Sequence, residues 1–258
     1  VLASEEIHVP CHHIQVRYWC RKALVSPARA AYKKPGGFQH TMCFSAPASF
    51  IASGVLLLIG YFTVRASDGV DHTLLSYIPV LFGVQQGLEG IVWFAVNGVV
   101  SSWELSAGTY GFLVFAVAMW TALFAAAAWE GERLAWKQRV MGFALFVGAL
   151  WALVTMIVLF ASSVSAVGSG DHLVYDVVSL PGWLGITATL VYTAIGVVPL
   201  WLSSTKRLRI LGWLIFISGG ITWAVETTYF VSLWCFWAAV ISAYIYVIVA
   251  DSHPTSLL

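Results

Sequence analysis

Seven apolar runs dominate this chain, and no lysine or arginine lies inside any of them. They are residues 44–64, 74–97, 106–128, 140–161, 183–202, 210–229 and 231–250. A bilayer core of about 30 Å needs roughly 20 residues of helix to cross it. In lipid the backbone has no water to bond, so helices and closed barrels are the only spanning structures. The last two runs abut without a Gly or Pro break. The 41 residues from Ile210 to Ala250 are twice what one span needs, so a tight turn near 227–232 divides them. Six spans is the alternative count. Composition excludes the soluble classes: 60% of the chain is hydrophobic and 10% charged, against about 45–50% and about 25% in soluble domains. A net charge of +1 offers no basic surface to nucleic acid.

The charges that remain set an orientation. Arg65 follows the first run, Arg133, Lys137 and Arg139 lie between the third and fourth, and Lys206, Arg207 and Arg209 between the fifth and sixth. The other three connections hold no Lys or Arg. Basic residues mark cytoplasmic connections, which places the N-terminus outside and the C-terminus inside. Tryptophans agree: Trp103, Trp183 and Trp234 fall near the outer interface, and Trp129, Trp136, Trp201 and Trp213 near the inner one. The expected fold is therefore all-α, a polytopic seven-transmembrane-helix bundle over residues 42–258.

Residues 1–41 break the charge rule, with six basic residues on a segment placed outside. They hold His8, Cys11, His12, His13 and Cys20, but not in the tight pairs zinc ligands usually form. They read as a flexible or non-native extension. A protein beginning at Met42 would obey the charge rule throughout.

From Met42 the chain reads Met-Cys-Phe-Ser-Ala-Pro-Ala-Ser-Phe. It continues with Leu81-Phe-Gly-Val-Gln-Gln-Gly-Leu-Glu-Gly90 and Trp234-Cys-Phe-Trp-Ala-Ala-Val-Ile-Ser-Ala243. This resembles a family of uncharacterised, mainly bacterial, multi-pass membrane proteins that open on the same Met-Cys-Phe-Ser-Ala signature. The resemblance supports the start site and the architecture. It implies no mechanism. A multi-pass place in the plasma (bacterial inner) membrane is expected.

Several membrane families are excluded by residues they need. No span has a lysine for a retinal Schiff base. After Met42 the only histidines are His72, His172 and His253, all outside the runs, which leaves no axial haem ligand and no histidine set for a seven-span zinc hydrolase. Ser218-Gly219-Gly220 lacks the preceding Gly and the His partner of an intramembrane serine protease. No phosphate-binding Gly loop or Cys-x-x-Cys is present. No cofactor is expected.

Two carboxylates, Glu89 and Glu226, do sit inside apolar runs. At that depth an ionisable group costs roughly 2.5–3.5 kcal/mol and marks a functional site by default. Gln86, Glu89, Trp93 and Asn97 follow at steps of three, four and four, which is one helix face, and Gln85 lies one turn from Glu89. Thr222, Glu226 and Tyr229 share a face of the sixth run. Both carboxylates fall in the outer half of their spans. Gly83, Gly87 and Gly90 suit close helix packing on other faces. The spacing from Gly60 to Glu89 and from Gly196 to Glu226 suggests a weak repeat of runs 1–3 in runs 5–7, the parallel type found in some transporters.

The leading expectation is transport or binding of a small polar solute, cation or proton by Gln85, Gln86, Glu89, Asn97, Thr222, Glu226 and Tyr229. Against it, each Glu would be a hydrogen-bonded tie between helices. A metal-dependent membrane enzyme using Glu89, His172 and Glu226 is an alternative, and so is a sensor or accessory subunit without chemistry. Residues 162–182, with Asp171, His172, Tyr175 and Asp176, read as a solvated outer loop. Cys43 and Cys235 both belong to the outer face and are candidates for a disulfide. The lipid bilayer is the expected partner, with a small polar solute or cation as ligand; no nucleic acid is expected, and the sequence names no protein partner.

Overall fold

The computed structural model describes residues 45–67, 73–169, 172–177, 182–225 and 230–252. All belong to one compact unit, Thr41–Leu258. The apolar runs fold as helices whose ends are set by local chemistry. Helix α1, Ala46–Arg65, is capped by Ser45, whose hydroxyl accepts from Ala48 N, and carries a proline in its first turn, where no donor is missed. Arg65 ends it, a cation against the negative pole of the helix.

Helix α2, Thr73–Val96, keeps Pro79 in its interior. It stops in a Schellman turn: Val99 N donates to Phe94 O and Gly98 N to Ala95 O. Gly98 has φ 74°, the left-handed conformation this turn needs. Helix α3 spans Ser102–Glu130 and is α-helical except for a π-helical segment, Val114–Met119. The Glu104 carboxylate closes its start by accepting from Ser101 N and Ser101 Oγ. Helices α4 (Ala135–Ala161), α5 (Gly182–Leu202), α6 (Lys206–Val225) and α7 (Phe230–Ala250) follow. Of the turn expected near 227–232, residues 227–229 lie outside the described residues and 230–232 belong to α7.

Among the described residues, α1 to α5 are long and apolar enough to cross a membrane, and Trp237–Ala250 is a shorter apolar stretch. This is compatible with a membrane protein. The centre is α2, with 56% of its apolar window buried, against 17% for the peripheral α4. It packs against α1, α3 and α7. One glycine on each helix brings α1 and α2 close: a Cβ on Gly60 of α1 would lie 2.6 Å from Val80 Cγ2, and one on Gly83 of α2 would lie 2.7 Å from Leu57 Cγ. Ser53 Oγ adds a 2.7 Å bond to Gly83 O. The proposed counterpart of Gly60, Gly196, meets nothing within 4 Å among the described residues. Among the described residues the two glycines thus differ in their surroundings.

The loop expected over 162–182 needs correction. Ser165–Ser169 (β1) and His172–Asp176 (β2) form an antiparallel hairpin in the register Ala166↔Tyr175, Gly168↔Leu173. The reason is an alternation of period two. Ala166 and Leu173 are buried, whereas Val167 is exposed. The buried face packs with Ala46, Val92 and Trp93, where α1 begins and α2 ends. The bare backbone at Gly168 approaches Val96 there.

Candidate functional site

Three buried polar side chains occupy little more than one turn of α2. Gln85, Gln86 and Glu89 are 3%, 6% and 3% exposed. Gln86 Nε2 donates to Glu89 Oε2, the contact that residues three apart on a helix make. Gln85 Oε1 accepts from Trp120 Nε1 of α3 at 2.9 Å. Trp120 in turn stacks on Phe82, ring centroids 4.0 Å apart, and tilts against Phe115 and Phe124. One turn beyond Glu89, buried Trp93 packs beneath the β-hairpin. The carboxylate therefore lies between an aromatic stack and a capped helix end.

The π segment explains why Trp120 faces Gln85. A π turn inserts one residue into the helix and rotates everything after it by about 100°. It also displaces carbonyls from their usual amide partners. Tyr192 OH of α5 donates to Ala116 O at 2.9 Å, Trp151 Nε1 of α4 to Val117 O at 3.0 Å, and Thr121 Oγ1 to Ala118 O at 3.1 Å. Two neighbouring helices and Thr121 of α3 itself thus satisfy the irregular backbone, the condition for such a segment in a membrane-spanning helix.

The other expected site residues fare differently. Asn97 is not part of the buried group: it is the cap residue of the Schellman turn and is exposed. Thr222 is buried, and its hydroxyl donates to Ser218 O on its own helix at 2.8 Å. Glu226, Tyr229 and Cys43 lie outside the described residues, as do the side chains of His172 and Cys235. The pairing of Glu89 with Glu226 and the Cys43–Cys235 disulfide therefore fall there too. Among the described residues, no three His, Cys, Asp or Glu side chains gather to hold a metal.

Two carboxylates at the basic end of α3 prove to be ties. Glu132, 3% exposed, lies between α3 and α4. Its oxygens accept from Arg133 N (3.0 Å), Leu134 N (2.9 Å), Ser204 N (2.8 Å) and Ser204 Oγ (2.9 Å). Burial pushes its pKa up, and the bonds from Leu134, Ser204 and Arg133 outweigh that and hold it below the ordinary value. Glu130 accepts from Leu74 N at 2.8 Å, in the first turn of α2. The end of α3 is thus bound to the start of α2, and the α3–α4 connection to the α5–α6 connection. Arg207 and Asp251 join α6 to the end of α7 with a 2.9 Å ion pair. Nothing in a Gly-Glu-Arg loop distinguishes these groups from solvated charges.

A family model described as a family of unknown function (DUF6629) matches residues 42–257. No curated protein and no solved structure matches the chain.

Proposed function

Since the chain belongs to this family of unknown function (DUF6629), we propose an activity from its own chemistry: binding or transport of a proton, cation or small polar solute at Glu89. We propose with it that all seven helices cross the plasma membrane, N-terminus outside and C-terminus inside, as the placing of Lys and Arg supports. The observation that carries the reading is a carboxylate 3% exposed in an apolar helix, held by Gln86 beside the Trp120–Gln85 bond. An ionisable group at that depth is costly, and a Gln, Ser or Thr would join two helices without it. Amides can donate to a carboxylate and accept from an acid, so the same neighbours serve both protonation states. Glu226, at similar depth by sequence, completes the reading as the second carboxylate, with Thr222 and Tyr229 on its face.

The test is flux. Protein reconstituted in vesicles with an entrapped pH indicator should move protons when a proton gradient is imposed, alone or with a sodium or potassium gradient. Glu89→Gln should lose that flux while keeping its helical spectrum and elution volume. Equal flux in the variant and the parent overturns the reading.

A further inference from the structure

A second polar cluster lies at the basic ends of the bundle, apart from Glu89. Ser204, in the α5–α6 connection, is exposed. Lys137 Nζ, in the first turn of α4, donates to Ser204 Oγ at 3.2 Å. Arg209 Nη1, in the first turn of α6, donates to Ser203 O at 2.9 Å and to Ser204 O at 3.3 Å. Both cations are half-buried. Among the described residues neither has a carboxylate within ion-pair distance. Glu132 shares Ser204 with them, but its oxygens are engaged by four other donors.

The donor inventory is unspent. An ammonium has three N–H groups and a guanidinium five. With Nη1 tied to two carbonyls, Arg209 keeps its Nε and Nη2 edge, the fork that grips a phosphate through two parallel bonds. The carbonyls hold that fork in place, which lowers the entropy lost on binding. The level is that of a headgroup. Trp136, next to Lys137, is 58% exposed, and Trp213, one turn beyond Arg209, is 52% exposed. Exposed tryptophans mark the membrane interface, and basic sites between helices there bind lipid phosphates.

We propose that Lys137 and Arg209, braced by Ser203 and Ser204, bind the headgroup phosphate of one anionic phospholipid in the leaflet facing these connections. The proposal rests on the membrane-spanning reading and is independent of the Glu89 site. Two cations without carboxylate partners favour a net-negative headgroup over a zwitterionic one, whose own cation would meet them.

Intact protein would be equilibrated with mixed micelles of phosphatidylglycerol and phosphatidylcholine, and the retained lipid counted by native mass spectrometry. The parent should retain phosphatidylglycerol, and Lys137→Ala/Arg209→Ala should retain about tenfold less. Arg65→Gln/Arg139→Gln removes the same charge from the basic ends and should retain the parental amount. Arg209→Lys, which keeps the charge and loses the fork, should show an intermediate loss and serves if the double alanine variant does not fold. Equal losses in the two double variants, or unchanged retention in Arg209→Lys, overturn the proposal. So does displacement of phosphatidylglycerol by inorganic phosphate at matched concentration, which would mark a site for the free anion.

Discussion

Glu132 shows how differently two buried carboxylates read in a sequence. Glu89 is conspicuous because it interrupts an apolar run, and its partners Gln85 and Gln86 follow from helical spacing alone. Glu132 sits among Arg133, Lys137 and Arg139, where any carboxylate looks solvated; its partners, Ser204 N and Oγ, come from a connection 72 residues away. Its stabilising effect has a definite pH sign. A folded-state pKa below the unfolded value of about 4.3 adds stability that is present above that pH and lost as pH falls through the folded value. The apparent melting temperature should therefore drop in acid below about pH 4.3. Glu132→Gln should lack that component and, at neutral pH, lose about 2–3 kcal/mol, because a neutral oxygen accepts more weakly and an amide N–H faces other donors. A thermal series from pH 3 to 7 checks this; parallel curves for the two proteins would contradict it. At the other carboxylate, Gln86→Leu removes a donor to Glu89. It should shift the Glu89 carboxyl band in infrared difference spectra, a band identified by its absence in Glu89→Gln. An unshifted band would mean that Gln86 does not bond the carboxyl group.

Helix ends were readable to within a few residues because apolar length and local caps are both local properties. Two elements were not. The hairpin has strands of five residues, and its small residues give a weak alternation; the Gly170-Asp171 pair between them was its clearest signal. The π segment leaves no pattern in Val114–Met119, because its carbonyls are claimed by Tyr192 and Trp151 from other helices. Glycines likewise read alike until packing separates them. Gly60→Ala puts a methyl group 2.8 Å from the backbone nitrogen of Val80 and should cost about 1–3 kcal/mol by forcing α1 from α2. A Cβ at Gly196 meets nothing within 4 Å among the described residues, so Gly196→Ala should be neutral within about 1 kcal/mol. Melting temperatures of both variants in the same detergent decide it. A Gly196→Ala loss as large as that of Gly60→Ala would show that the two sites are equally packed.

Across the whole molecule the two ends are built differently. The basic ends are tied by side chains: Glu130 to α2, Glu132 to the α5–α6 connection, Arg207 to Asp251. The opposite ends of α1 and α2 are covered by the hairpin through apolar contacts with Val92 and Trp93. If the proposed topology holds, the tied ends face the cytoplasm, and the hairpin lies outside, one turn above Glu89. The topology makes a sharp prediction. In a background with the four native cysteines replaced by alanine, Val99→Cys is placed in the exposed α2–α3 connection and Ser204→Cys in the α5–α6 connection. A membrane-impermeant thiol reagent applied to intact cells should label Val99→Cys and leave Ser204→Cys unlabelled until the membrane is opened. Ser252→Cys, beyond α7, should behave as Ser204→Cys does, because α6 and α7 together return the chain to the same side. Labelling of Ser252→Cys with Val99→Cys would mean that one of α6 and α7 does not cross. The six-span count would then replace seven.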